Sequence, residues 1–166
     1  MKKLNLGCGD KIFPKSEGWD NLDFRSLKGV DIVCDLNNQE IPVPDNYYDY
    51  VFANDILEHF PLDYTDILMK KIWRVIKKGG RLEAQVPNTL MNFKMWLDGR
   101  IKTLSKTQSK THRFSQMIFG KQDYIGNYHF QLFDKERLGE IFESNGFVIL
   151  KEWEHGRGLN ILGERV

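Results

Sequence analysis

The chain has 166 residues, 41% of them hydrophobic and 28% charged, a balance that suits one domain with one core and excludes a low-complexity or disordered chain. Lys and Arg total 24 against 23 Asp and Glu, so a net charge of +1 gives no reason to expect a polyanionic partner. Two cysteines, Cys8 and Cys34, make no disulfide framework. No apolar run is long enough to span a membrane, and Asn5 rather than leucine precedes Cys8 by three, against a lipoprotein signal, so the expected location is the cytoplasm.

The first element, "KLNL" (3–6), reads as a strand running into the turn Gly7-Cys8-Gly9. "WDNLDF" (19–24) alternates apolar and polar residues and ends at Asp23-Phe24. "VDIVCDL" (30–36) is β-branched and ends at Asp35, and "YDYVFAND" (48–55) ends at Asn54-Asp55. From Leu62 to Lys78, Ile67, Leu68, Ile72, Trp73, Val75 and Ile76 recur at helical spacing, and "KKGGR" (77–81) reads as the stop. "RLEAQVP" (81–87) is a strand closed by Pro87. Across 88–130 the pattern weakens. Asp134 then reads as an N-cap for a helix with Leu138, Ile141 and Phe142 on its apolar face and Asn145-Gly146 at its end. "FVILKEWEHG" (147–156) and "LNILGERV" (159–166) form a closing hairpin.

Strands alternating with helices or loops and ending in a hairpin imply an α/β fold with a mostly parallel sheet and an antiparallel strand at its end. Ligands of such sheets lie at the carboxyl ends of the strands. Gly7, Gly9, Asp23, Asp35 and Asn54 all fall there. A dinucleotide fingerprint wants a third glycine at position 12, which is Ile12, and no G-K-[ST] follows the turn. What remains is a ligand with a ribose but no phosphate at this turn. Asp23 can accept both hydrogen bonds of a ribose diol, and Asp35 can accept from an adenine amine with Leu36 against the ring. The turn leaves room for an amino-acid tail, and the Asn54 carbonyl can meet an ammonium. That set fits S-adenosylmethionine (SAM).

"LNLGCGD", "NLDF", "VCDLNNQEIPVPDNYYDYVFANDILEHF", "IWRVIKKGGRLEAQVPN" and "LFDKERLGEIFESNGF" together resemble class I SAM-dependent methyltransferases of the small kind called methyltransferase type 11, over nearly the whole chain. The resemblance implies a Rossmann-like, seven-stranded sheet of order 3-2-1-4-5-7-6 with strand seven antiparallel, in one domain spanning 1–166. It implies cofactor contact at Asn5, Gly7, Cys8, Gly9, Asp23, Phe24, Asp35, Leu36, Asn54 and Asp55, with S-adenosylhomocysteine (SAH) as product. Two departures stand out. Asn5 replaces the usual acid, so it hydrogen-bonds the methionine ammonium without neutralising it. The usual first helix shrinks to a turn around "DKIFPKSEG", and any lid must come from an insertion at about 88–130.

Asp55, Glu58 and His59 lie at i, i+3 and i+4 and can share a face. Some O-methyltransferases of ubiquinone biosynthesis and of small-RNA 3′ ends carry a similar E-x-x-E-H that binds a divalent metal. Here Asp55 stands first, and the expectation is no metal, with Glu58 and His59 orienting the loop beside the cofactor. "NYH" places His129 where the resemblance implies a histidine near methyl transfer, so His129 is the first candidate base and His59 the second. Tyr124, Tyr128, Phe93 and Trp96 are candidate walls for the acceptor or the sulfonium. Residues 100–113 hold many basic and no acidic residues, which reads as an anion-attracting lid through Arg100, Lys110 and Arg113. Aromatics do not interleave that stretch, which argues against nucleic acid. The expected function is methyl transfer to a small-molecule or sugar-containing acceptor at oxygen or nitrogen. The rival is a non-catalytic SAM-binding or regulatory protein of the same fold.

Overall fold

The computed structural model describes residues 1–166. Seven strands, β1 (Lys3–Leu6), β2 (Trp19–Asp23), β3 (Ile32–Val33), β4 (Tyr48–Asn54), β5 (Ile76–Pro87), β6 (Phe147–His155) and β7 (Gly158–Arg165), form one sheet of order β3-β2-β1-β4-β5-β7-β6. β7 runs antiparallel to both β5 and β6 and the other pairs are parallel, so the expected topology holds throughout. The helices are α1 (Thr65–Val75), α2 (Thr89–Leu97), α3 (Lys110–Phe119) and α4 (Lys135–Ser144).

Strand alternation divides the sheet into two unlike faces. Leu4, Leu6, Leu22, Val51, Ala53, Leu82, Ala84 and Ile161 point to the face that α1 and α4 cover, and all are buried. Asn5, Asn21, Trp19, Tyr50 and Phe52 point to the other face. There residues 10–18 supply only a short 3₁₀ turn, Lys15–Glu17, and Phe13 stacks 4.7 Å from Trp19 and 5.8 Å from Phe52. Trp19 is thus part of that aromatic cover. The reduced first helix expected from the short spacing is what the chain forms.

α1 buries Leu68, Met69, Ile72 and Val75 on its core stripe, while Ile67 is exposed. Lys71 on the same stripe is buried because all three of its protons are used: Nζ donates to Leu36 O at 2.7 Å, Gln39 O at 2.8 Å and Tyr64 Oη at 2.7 Å. Truncating the fully buried Ile72 to alanine is expected to cost about 2–5 kcal/mol, read as a lower urea midpoint with the same slope.

Three boundaries differ from the sequence reading. The helix expected over 62–78 is α1 over Thr65–Val75, entered through a 3₁₀ turn, and the chain passes from it directly into β5. Lys77–Arg81 is therefore not a helix stop. Pairing moves from Tyr48↔Ile76 to Tyr50↔Arg81, two residues on β4 against five on β5, and Gly79 at φ +74 absorbs the excess as a bulge. The strand expected over 30–36 is only Ile32–Val33, because Asp35 folds back: its Oδ1 accepts from Asn37 N at 3.0 Å and its carbonyl from Gln39 N at 2.8 Å. The unpatterned stretch 88–130 contains α2 and α3.

Candidate active site

β1, β2 and β4 run in register, with Leu6 opposite both Leu22 and Ala53, so the turn after β1 comes level with Asp23 and with Asn54-Asp55. Gly7 and Gly9 take φ of +66 and +53, and a Cβ on Gly7 would lie 2.5 Å from Ile56 Cδ1. Cys8 N donates to Leu22 O at 2.9 Å and ties the turn to β2. Asp23 closes it: Oδ2 accepts from Gly9 N at 2.8 Å, and Oδ1 accepts from Arg25 N at 2.9 Å and Arg25 Nε at 3.0 Å. Arg25 also lies 4.2 Å from the Tyr124 ring centre, linking this acid to the segment above it.

Beside these strand ends opens a cavity of about 520 Å³, a size suited to a small ligand. Gly7, Gly9, Asp23, Phe24, Asp35, Leu36, Asp55 and His59 all line it, as do Ile56, Phe60, Tyr124, Tyr128 and Phe130. Burial opposes ionisation of Asp35, but hydrogen bonds from Asn37 and Asn38 outweigh it and hold the carboxyl below its ordinary range. Asn38 takes one direction at Oδ2, at 2.8 Å, so that oxygen keeps acceptor capacity toward an adenine amine.

Three expected contacts do not reach the cavity. Asn5 points to the opposite sheet face, where its Nδ2 donates to Lys11 O at 2.7 Å and Asn21 Oδ1 at 3.0 Å, so it braces the turn from behind. Cys8 is buried, and burial raises its thiol to about 11, which leaves it an inert packing residue. Asn54, whose carbonyl is the expected contact, is not among the residues lining this cavity, and its side-chain amide donates to Asp55 Oδ2 at 3.0 Å. Asp55 itself takes a left-handed φ of +51, while its N–H donates to Gln85 O at 2.9 Å.

A second cavity of about 710 Å³ adjoins the first and shares Gly9, Arg25, Asp55, His59 and Tyr124 with it. Its wall is polar almost throughout and includes Glu58, Gln85, Asn92, Arg113, Gln116 and His129. Seventy residues of chain separate His59 from His129, yet their rings stand 5.0 Å apart at 81°. Hydrogen bonds hold them there: Phe130 N donates to Glu58 O at 2.8 Å, and the Gln131 side-chain Nε2 donates to Leu57 O, Phe60 O and Thr65 Oγ1 at 2.9–3.1 Å. His59 Nδ1 lies 2.9 Å from Tyr128 O, and a carbonyl only accepts, so Nδ1 carries the proton and Nε2 keeps its lone pair.

Burial lowers His59 below its ordinary value, and burial together with His59 pushes His129 down to about 4, so both rings are neutral near pH 7. Burial and the neighbouring Asp55 hold Glu58 well above the usual carboxylate range. Glu58, His59 and His129 each place a ligand atom within 4.8 Å of the others, a spacing able to hold a metal ion.

The aromatic candidates divide. Tyr124 and Tyr128 line the first cavity, whereas Phe93 and Trp96 join α2 to α3 by packing 5.3 and 4.8 Å from Phe114. The basic candidates divide too. Arg113 lines the second cavity, but Arg100 is paired with Asp98 at 2.8 Å and Lys110 Nζ donates to Gly99 O at 3.1 Å, both at the surface. Sequence reasoning missed Arg25 and Arg157. Arg25 was signalled only by its place two residues after Asp23, and Arg157 by nothing but a basic residue in a glycine turn.

A mostly parallel sheet of this order with an antiparallel β7, and a glycine turn with one acid at the end of β2 and another just past β3 around one cavity, defines a class I SAM-dependent methyltransferase domain. The chain belongs to the methyltransferase domain family, whose profile matches residues 1–152. It is 29% identical over 148 residues to the demethylmenaquinone methyltransferase of Listeria monocytogenes, covering 85% of this chain and 58% of that protein. The match to the Geobacillus enzyme of the same name, also 29% identical, covers 79% of this chain and 54% of that one, so the chain spans little over half the length of these curated relatives. Its fold is similar to that of the 1,6-didemethyltoxoflavin-N1-methyltransferase of Burkholderia thailandensis, solved with 1,6-didemethyltoxoflavin and SAH, at TM-score 0.66 and 11% identity over 99% of this chain and 70% of that one. A SAM-dependent methyltransferase from Archaeoglobus fulgidus gives TM-score 0.64 and 14% identity over 99% and 86%. No helix is long and apolar enough to cross a membrane.

Proposed function

We propose that the 520 Å³ cavity binds SAM and that the 710 Å³ cavity binds a polar small-molecule acceptor, with methyl transfer at their shared wall. The single observation that carries this reading is the junction itself. His59 and Asp55 border both cavities, and His129 faces the second within ring contact of His59. The acceptor attacks the methyl in line, opposite the sulfur, and holding the two ligands in adjoining cavities supplies proximity and orientation. The neutral His129 imidazole orients a hydroxyl or amine acceptor and takes its proton as the new bond forms. Residues 88–130 supply Tyr124 and Tyr128 over the cofactor and His129 over the acceptor, and act as the lid.

The curated relatives are named for demethylmenaquinone. The polar wall of this acceptor cavity instead suits a hydrophilic substrate. The test is a screen with labelled SAM against hydroxyl, amine and carboxylate acceptors, alongside a melting scan with SAH. SAH is expected to raise Tm. A rise in Tm with no transfer to any acceptor would favour the non-catalytic SAM-binding protein.

One observation favours a second reading. Glu58 is 1% exposed, yet neither carboxylate oxygen has a hydrogen-bond partner. Glu58, His59 and His129 would hold a divalent cation there, which would act as a Lewis acid on an acceptor hydroxyl. The metal-free reading expects turnover to survive chelation. The metal reading requires its loss and its restoration by manganese or cobalt.

A further inference from the structure

The acceptor cavity contains two guanidinium groups without a counter-charge. Of the eight arginines, Arg25, Arg74, Arg81, Arg100 and Arg137 each lie within ion-pair distance of a carboxylate, and Arg165 caps the Ile76 carbonyl. The two exceptions, Arg113 and Arg157, line the same cavity. Arg113 makes one weak side-chain contact, Nη1 to Gln116 Oε1 at 3.4 Å. Arg157 makes no side-chain hydrogen bond or ion pair. Its backbone is nonetheless fixed, since its carbonyl accepts from Asn88 N at 2.8 Å at the start of α2. The cavity's own acids, Asp10, Asp55, Glu58 and Asp123, pair with neither arginine.

The two side chains come from distant elements, α3 and the β6–β7 turn, and face one cavity. Burial, and then the charge of Arg157, lower the Arg113 pKa from its ordinary value. A third group faces the same space. Asn92 is 3% exposed, and its Oδ1 is buried without a partner. Its Nδ2 makes no side-chain hydrogen bond, and this NH₂ is the donor that an anionic oxygen in the cavity would take. Planar guanidiniums match phosphate and carboxylate oxygens in paired hydrogen bonds, and two positive charges are neutralised by one phosphate monoester dianion, whereas a single carboxylate leaves one unbalanced.

We propose that Arg113, Arg157 and Asn92 form a phosphate subsite, so that the acceptor is a small phosphorylated molecule whose nucleophilic end reaches His129. This rests on reading the 710 Å³ cavity as the acceptor site. The phosphate anchors the acceptor away from the reacting atom, which fixes orientation and contributes binding energy without changing the chemistry of the transfer.

The test is calorimetry on the full chain saturated with SAH, titrated with inorganic phosphate and, separately, with acetate at matched ionic strength. Phosphate is expected to bind, with acetate at least about 10-fold weaker; Arg113→Gln and Arg157→Gln should each weaken phosphate by about 10-fold or more and the double variant abolish it. SAH affinity should stay unchanged in all variants, and their Tm should hold. Phosphate binding that survives in the double variant overturns the subsite, as does absence of phosphate binding by the SAH-loaded chain. Acetate binding as tightly as phosphate overturns the phosphate assignment in favour of a carboxylate. Failure of SAH itself to bind is a separate result, which overturns the methyltransferase reading on which the acceptor role rests.

Discussion

Substituting His129 with asparagine is expected to lower kcat by roughly 10²- to 10⁴-fold while SAM affinity changes little. The expectation rests on where the ring sits. His129 lines the acceptor cavity and not the cofactor cavity, so its loss removes a group that touches the acceptor. The fold should tolerate the change, because the backbone at 129 is held by its own N–H to Phe119 O at 3.1 Å and by the bonds of Phe130 and Gln131, which follow it. Asparagine keeps a polar side chain but cannot take a proton. Single-turnover methyl transfer with saturating SAM, together with SAH calorimetry, separates the two effects. An unchanged single-turnover rate removes His129 from the chemistry. A parallel loss of SAH affinity makes it a scaffold for the lid.

The sheet was legible because its signals are local. Alternation in "KLNL" and "WDNLDF" marks the strands, and glycine or aspartate at their ends marks where the pleat stops. The same alternation explains the failure at Asn5: one residue inside β1, it must point across the sheet, while the ligand lies beyond the strand end. Helix α1 was placed but overrun, since Ile76 continues the apolar spacing while belonging to β5. α2 and α3 went unread because they bury little; α2 has Asn92 as its one buried residue, and α3 has Met117 and Ile118.

The site divides along similar lines. Gly7, Gly9 and Asp23 reach the cavity because the ends of β1 and β2 position them, and Asp35 and Leu36 because a local turn follows β3. The meeting of His59 with His129, and the placing of Arg113 and Arg157 on one cavity, depends on the path of residues 88–130, which Gln131 and the Asn88 contacts set. No periodicity encodes those tertiary bonds. Arg25 illustrates the point: its charge was visible, but its capture by Asp23 and its contact with Tyr124 follow from the turn after β2 and the descent of the lid.

That capture shapes the effect expected at Asp23. Asp23→Ala should weaken SAM binding by on the order of 10- to 100-fold, since a carboxylate accepting ribose hydroxyls contributes charge-assisted bonds of about 1.5–3 kcal/mol. The same change strands Gly9 N–H and releases Arg25, because Asp23 is 4% exposed and accepts from both. A stability loss of about 1–3 kcal/mol should therefore accompany the loss of affinity. Asp23→Asn distinguishes the contributions. Its amide oxygen can still serve Gly9 N–H, which retains the turn, but its NH₂ cannot accept from a ribose hydroxyl and faces the Arg25 guanidinium without a charge to offer. The asparagine variant is expected to recover part of the stability and little of the affinity. Arg25→Ala provides the complementary measurement: it frees the carboxylate from its ion pair, so SAM should bind as tightly as in the unaltered chain or tighter. Calorimetry with SAM on the three folded variants decides the matter. If Asp23→Ala binds SAM with unchanged affinity, the acid serves the glycine turn alone; if Arg25→Ala loses affinity along with it, the guanidinium is part of the cofactor site.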